Sequence, residues 1–146
     1  MRFLDTSAIV PLCVNEPGSA DAKTLLTQDV ALVVWWTTRT EFISALQRQV
    51  REGGLAVSGE RQARDILSLL TQSWIEVQPS ETVRSMAERL LAVHTLRAAD
   101  AFQLAAALQW CQGQTHERCF LSFDIRLREA VYKEGFTLLP LNLPAH

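Results

Sequence analysis

Short apolar runs, two of them closed by an aspartate, alternate along this chain with longer amphipathic stretches, and that alternation narrows the fold more than anything else. Residues 2–5, 31–35, 74–77, 119–122 and 136–139 read as five strands. The run Ala31-Leu32-Val33-Val34-Trp35 is continuously apolar, as a strand covered on both faces requires. Between the strands, apolar residues recur at helical spacing. Helices are expected over residues 7–14 and, after the Pro17-Gly18 break, over 19–28. Another begins near Thr38, carries Phe42, Ala45, Leu46 and Val50 on one face, and ends at Gly53-Gly54. Ser58 is expected to cap a helix with Ala63, Ile66, Leu67 and Leu70 inward, and Ser80 one with Val83, Met86, Ala87, Leu90 and Leu91 inward. An Ala-rich helix over 99–111 and a last one over 125–134, stopped by Gly135, complete the series. Strands alternating with helices in this way predict an α/β fold with a mostly parallel sheet. The 146 residues, 48% hydrophobic and without repeat or Gly/Pro/Ser-rich linker, are read as one domain spanning 1–146.

Composition excludes several classes. No apolar run approaches the ~20 residues that span a bilayer, and Asp5 interrupts the stretch a secretory signal would need. Three cysteines, Cys13, Cys111 and Cys119, are odd in number and lack metal-ligand spacing. They read as reduced core thiols, which points to the cytoplasm. A formal net charge of -2 looks unsuited to a nucleic-acid binder. However, setting aside four of the 16 acidic residues leaves 12 against 14 basic ones, and all the basic residues but Lys23 and Lys133 are arginines. Arginine pairs with phosphate in a planar two-pronged geometry, so a phosphate-bearing ligand is allowed.

The four acids set aside are Asp5, Glu41, Asp100 and Asp124. Asp5 and Asp124 each follow an apolar strand. Glu41 falls in the first turn of the helix after strand two, and Asp100 opens the Ala-rich helix among Ala98-Ala99 and Ala101-Phe102. Taken singly, each fits a helix cap or a favourable dipole contact. With parallel strands, however, all four lie at the carboxyl edge of one sheet, where open α/β folds bind ligands. Clustered carboxylates of this kind require a cation to stay ionised together. With no His or Cys adjacent in sequence, the all-oxygen set suits magnesium or manganese.

The segments carrying these acids resemble PIN-domain toxins of the VapC type. The likeness runs through Phe3-Leu4-Asp5-Thr6-Ser7-Ala8-Ile9-Val10, Asn15-Glu16-Pro17-Gly18-Ser19 and Thr40-Glu41-Phe42. It continues through Leu96-Arg97-Ala98-Ala99-Asp100-Ala101-Phe102-Gln103-Leu104-Ala105 and Leu121-Ser122-Phe123-Asp124-Ile125-Arg126-Leu127. The resemblance implies a five-stranded parallel sheet with helices on both faces and a magnesium-dependent endoribonuclease. It also implies a homodimer held in check by a small antitoxin that inserts a basic side chain among the acids. The family acids fall on Asp5, Glu41, Asp100 and Asp124, with Asp5, Asp100 and Asp124 as metal ligands and Glu41 acting through water. Ser122 stands where the family often has threonine, and Glu16 matches the family opening but reads as a structural loop acid. Ser7 and Ser122 could hydrogen-bond the carboxylates or the phosphate, though a plain helix cap is the expected role, and Arg97 could meet the RNA backbone, though a solvated arginine is expected. Transfer or ribosomal RNA loops are the plausible substrates, since single-stranded bases can be splayed out for reading. Trp35, Trp36 and Trp110 are the expected anchors of an apolar groove for the antitoxin segment.

Two rival classes fit less well. A receiver-type signalling domain wants paired acids after strand one and a lysine near the last strand; Asp5 is alone and Lys133 lies in a helix. A catalytically silent PIN-fold protein-binding module would be expected to have lost at least one of the four acids.

Overall fold

The computed structural model describes residues 1–28 and 31–144. Five strands, β1 (Arg2–Leu4), β2 (Leu32–Trp35), β3 (Ile75–Val77), β4 (Cys119–Leu121) and β5 (Thr137–Leu139), form one sheet in the order β3-β2-β1-β4-β5 with every pair parallel. The helices are α1 (Thr6–Cys13), α2 (Ser19–Gln28), α3 (Thr38–Arg51), α4 (Val57–Thr71), α5 (Glu81–Val93), α6 (Ala98–Trp110) and α7 (Ile125–Lys133).

Period-two alternation along the strands sorts the core into two halves. Phe3, Val33, Trp35 and Phe120 pack with α5, α6 and α7. Leu4, Leu32, Val34 and Leu121 pack with α1, α2, α3 and α4. Each fully buried Phe or Leu side chain contributes about 1.5–3 kcal/mol relative to exposure. The alanines of α6 (Ala101, Ala105, Ala106 and Ala107) are fully buried, their small side chains letting this helix sit close against the sheet and α5. Among the described residues, no helix is long and apolar enough to cross a membrane.

Ser80 caps α5 as expected, its Oγ accepting from the Val83 N–H at 3.2 Å. Ser58 does not cap α4. That helix begins at Val57, two residues earlier than a Ser58 cap would place it, with Ala56 at the cap position and no side-chain bond there. The strands are shorter at their ends than the apolar runs, although pairing continues past β4 through Ser122 N–H to Leu139 C=O, 3.1 Å.

The strand order reverses direction between β1 and β4. The chain leaves β1 through α1 toward one side of the sheet and leaves β4 through α7 toward the other, opening a crevice at their carboxyl ends. Asp5 immediately follows β1, and Asp124 lies just beyond β4.

Candidate active site

Asp5 and Asp124 occupy the cap positions of α1 and α7, and Glu41 and Asp100 lie in the first turns of α3 and α6. Four helix N-termini therefore face the same edge, and their partial positive charge favours anions there. The four acids divide over the capping role. The Asp5 side chain makes no cap bond; it accepts from Ser7 Oγ at 2.7 Å instead. Asp124 does cap, its Oδ1 taking the Leu127 N–H at 3.0 Å. Asp100 receives the backbone N–H of Arg97, the residue that caps α6. Glu41 caps nothing.

Glu41 is held by a network reaching across three elements. Its Oε2 accepts from Thr37 Oγ1 (3.1 Å), Thr6 Oγ1 (3.2 Å) and Gln103 Nε2 (2.9 Å). Gln103 is buried and also donates to Thr6 and Thr38. Its Oε1 is buried without a partner. Sequence reasoning missed this residue, although its one signal was visible: a lone amide on the otherwise apolar inner face of α6, one position beyond the turn that carries Asp100.

A second network ties β1 to β4. Ser7 Oγ donates to Asp5, accepts from the Phe123 N–H (2.8 Å) and lies 3.3 Å from Ser122 Oγ. Ser122 is fully buried, accepts from the Asp124 N–H and hydrogen-bonds the Asp5 carboxyl. Of the two readings the sequence allowed, both serines follow the one in which they hydrogen-bond the carboxylates. Beneath them the buried Arg128 guanidinium donates to the carbonyls of Ser122 (2.7 Å) and Pro140 (2.7 Å), fastening the β4 and β5 ends.

The electrostatics are those of crowded anions. Burial, opposed by the Ser7 hydrogen bond and reinforced by the charges of Asp124 and Asp100, pushes Asp5 up to about 7. Burial and then the Asp124 charge raise Asp100, with Glu41 adding to the effect. Asp5, Asp100, Asp124 and Glu41 therefore share one field. As the side chains lie, no three acidic, His or Cys side chains among the described residues are gathered tightly enough to enclose an ion. Each carboxylate is instead engaged by a donor of its own: Asp5 by Ser7, Asp100 by the Arg97 N–H, Asp124 by its cap and Glu41 by its amide and hydroxyls. The donor set nevertheless fits a hard divalent cation: it is all oxygen and carboxylate, and the burial and then like charge that raise Asp5 and Asp100 are what a cation would offset. Exposed Arg97 and Arg126 line the cavity over Asp100 and Asp124, about 570 Å³ in volume. A neighbouring cavity of about 600 Å³ runs from Thr6, Ser7 and Glu41 to Glu16 and Arg48. Glu16, raised by burial, sits in its wall.

The expected tryptophan groove is not assembled from all three rings: Trp35 and Trp36 line one cavity, without Trp110. Trp35 and Trp74 are buried, and Trp110, near the C-terminal end of α6, packs on Phe3 and under Arg118. Only Trp36, 51% exposed, faces solvent broadly.

A parallel sheet whose switch point gathers four carboxylates defines an acidic-site α/β protein, and the comparisons place it more narrowly. The PIN-domain model matches residues 2–131, and the chain belongs to the PIN-domain family. It is 33% identical over 137 residues to Ribonuclease VapC47 of Mycobacterium tuberculosis (strain CDC 1551 / Oshkosh), covering 93% of each chain. The crystal structure of FitAcB from Neisseria gonorrhoeae superposes with a TM-score of 0.65 over 94% of this chain and 96% of that one. At 15% identity, this is a likeness of fold.

Proposed function

We propose that this chain is a divalent-metal-dependent endoribonuclease and the toxin of a toxin–antitoxin pair, acting in the cytoplasm as one domain over residues 1–146. The observation that carries the reading is the mutual electrostatic coupling of Asp5, Asp100 and Asp124 at the switch point, with Asp5 raised to about 7. The relative that bears the name ribonuclease covers nearly the whole chain, which supports RNA as the substrate.

Asp5, Asp100 and Asp124 are the residues that would hold Mg2+, with Mn2+ as a substitute, and Glu41 would contribute through water. A divalent ion held there would supply Lewis-acid charge against the scissile phosphate and would lower the pKa of a water for attack. The protein's own share is positioning. Three donors fix Glu41 through one oxygen and leave Oε1 to orient the attacking water. Ser7 and Ser122 fix Asp5. Arg97 and Arg126 meet the RNA backbone, which transfer or ribosomal RNA loops would present. Water adds to phosphorus, the bond to one bridging oxygen breaks, and that oxygen takes a proton. The antitoxin would lay a short segment along the cavity beside Glu16 and Glu41 and bring a basic side chain to Asp5, Asp100 or Asp124, displacing the metal. The toxin itself would be a homodimer.

The test is cleavage of total RNA by the purified chain in magnesium, in manganese and after chelation. Cleavage that needs either ion supports the reading, and cleavage that persists after thorough chelation sinks it.

A further inference from the structure

Among the described residues, two buried side-chain polar atoms have no hydrogen-bond partner, and both lie at the carboxyl edge of the sheet. Gln103 Oε1 belongs to the Glu41 network. The other is the indole N–H of Trp35, and buried donors without partners are rare enough to require a reason. Trp35 is 4% exposed and lines a cavity of about 340 Å³ together with Trp36, Thr37, Phe102, Glu81 and Arg84. That volume falls in the range of roughly 300–1,000 Å³ typical of small-ligand sites. One wall is a stacked pair, Trp35 on Phe102, with centroids 5.7 Å apart and planes 3° apart. Trp36 adds an exposed ring at the rim. Among the described residues, Arg84 is engaged only with Glu81, in an exposed pair of the kind worth little in water.

The cavity borders the acid site at Thr37, which lines it while its hydroxyl donates to Glu41 Oε2 at 3.1 Å. We propose that it is a nucleobase subsite: one unpaired base of the RNA, next to the bond being cut, enters between Trp36 and the Trp35–Phe102 wall. Arg84 turns from Glu81 to the neighbouring phosphate, and a shift of the Trp35 ring brings its buried N–H to an acceptor on the base. Aromatic faces with one polar anchor suit a splayed-out base, because every base has a π-face and an acceptor on its edge. The mix of donor and cation fits a nucleotide better than an apolar peptide side chain. The proposal rests on the nuclease reading above and adds where the substrate is read.

The test separates the two. Wild-type cleavage in magnesium, lost on chelation, examines the nuclease reading alone. Binding of a short single-stranded RNA is then followed by tryptophan fluorescence in chelator, with a second RNA carrying an abasic nucleotide scanned through each position. Trp36→Ala should weaken binding on the order of tenfold and raise KM correspondingly, while Trp36→Phe retains most of the affinity. One abasic position should cost the wild type a similar factor and cost Trp36→Ala nothing further. If Trp36→Ala keeps full RNA affinity and KM while the wild type cleaves, the base subsite is overturned and the nuclease stands. Unchanged RNA affinity with loss of the dimer or of a bound protein would assign the cavity to a protein and likewise overturn the proposal. A wild type that binds no RNA would overturn both readings. The abasic scan on wild-type protein needs no variant and stands even if a substitution disturbs the fold.

Discussion

At the scale of single residues, Asp5 has the clearest thermodynamic signature. Its folded-state pKa, about 7, lies above its ordinary value of 3.8, so folding favours the protonated form. Well below its ordinary value of 3.8 the acid is neutral in both states and its burial costs no charge. As pH rises toward 7 the unfolded chain ionises first, and stability is lost across that window. Asp5→Asn keeps the acceptor for Ser7 and removes the charge. In chelator it should melt higher than the wild type, with an advantage that grows by roughly 2–3 kcal/mol between pH 5 and pH 8, yet cleave no RNA. Thermal melts across that range decide it, and an advantage flat in pH would contradict the burial of this charge. Gln103→Leu removes the amide donor from Glu41 and the orphaned Oε1 together. A loss of roughly 10–100-fold in metal affinity or activity is expected, as for outer-shell partners generally, with the fold retained. Magnesium titration of activity tests it; an unchanged titration would mean Glu41 needs no such support. Asp5 and Asp124 were legible as candidates because an acid closing an apolar strand stands out in sequence. Gln103 was not, because its partners Thr6, Thr38 and Glu41 are 97, 65 and 62 residues away and meet only in the folded chain.

Among the elements, helix periodicity carried most of the reading, and local backbone chemistry accounts for the departures. Ser80 was a sound cap because it ends an extended segment with φ -153° and ψ 162°. Ser58 failed because the chain is already turning at Ala56, whose C=O takes the Glu60 N–H, and the hydroxyl falls inside the first turn. The Pro17-Gly18 break before α2 has a second function that sequence could not reveal. Gly18 adopts φ +97°, and a Cβ there would lie 2.9 Å from the Phe123 ring, which lines both cavities beside the acids. Gly18→Ala should therefore cost on the order of 1–2 kcal/mol from the left-handed backbone alone, plus whatever is needed to move Phe123. Urea denaturation reads the first effect, and a fall in activity beyond the stability loss reads the second. A variant as stable and active as the wild type would mean that this turn relaxes freely.

For the whole molecule, the parallel sheet was legible because five apolar runs separated by amphipathic stretches admit few other arrangements, and the order β3-β2-β1-β4-β5 puts every predicted acid on one edge. The groove expected from Trp35, Trp36 and Trp110 does not form as one surface, since Trp35 and Trp36 line one cavity while Trp110, far along α6, packs on Phe3. The oligomeric state follows from the proposed toxin role: light scattering should report a dimer at micromolar concentration, and a monomer would count against that part of the proposal. Magnesium should also raise the melting temperature of the wild type, because a ligand bound only by the folded state stabilises it by mass action, and should leave Asp124→Asn largely unmoved. The decisive measurement is cleavage of a cellular RNA pool by wild type, Asp5→Asn, Asp100→Asn and Asp124→Asn at fixed magnesium, each paired with a chelated control and a melt. Cleavage by the wild type in magnesium alone, with all three variants folded and inactive, is the expected result. Folded variants that cleave as the wild type does would show that the carboxylates at the switch point are structural and that the chemistry lies elsewhere.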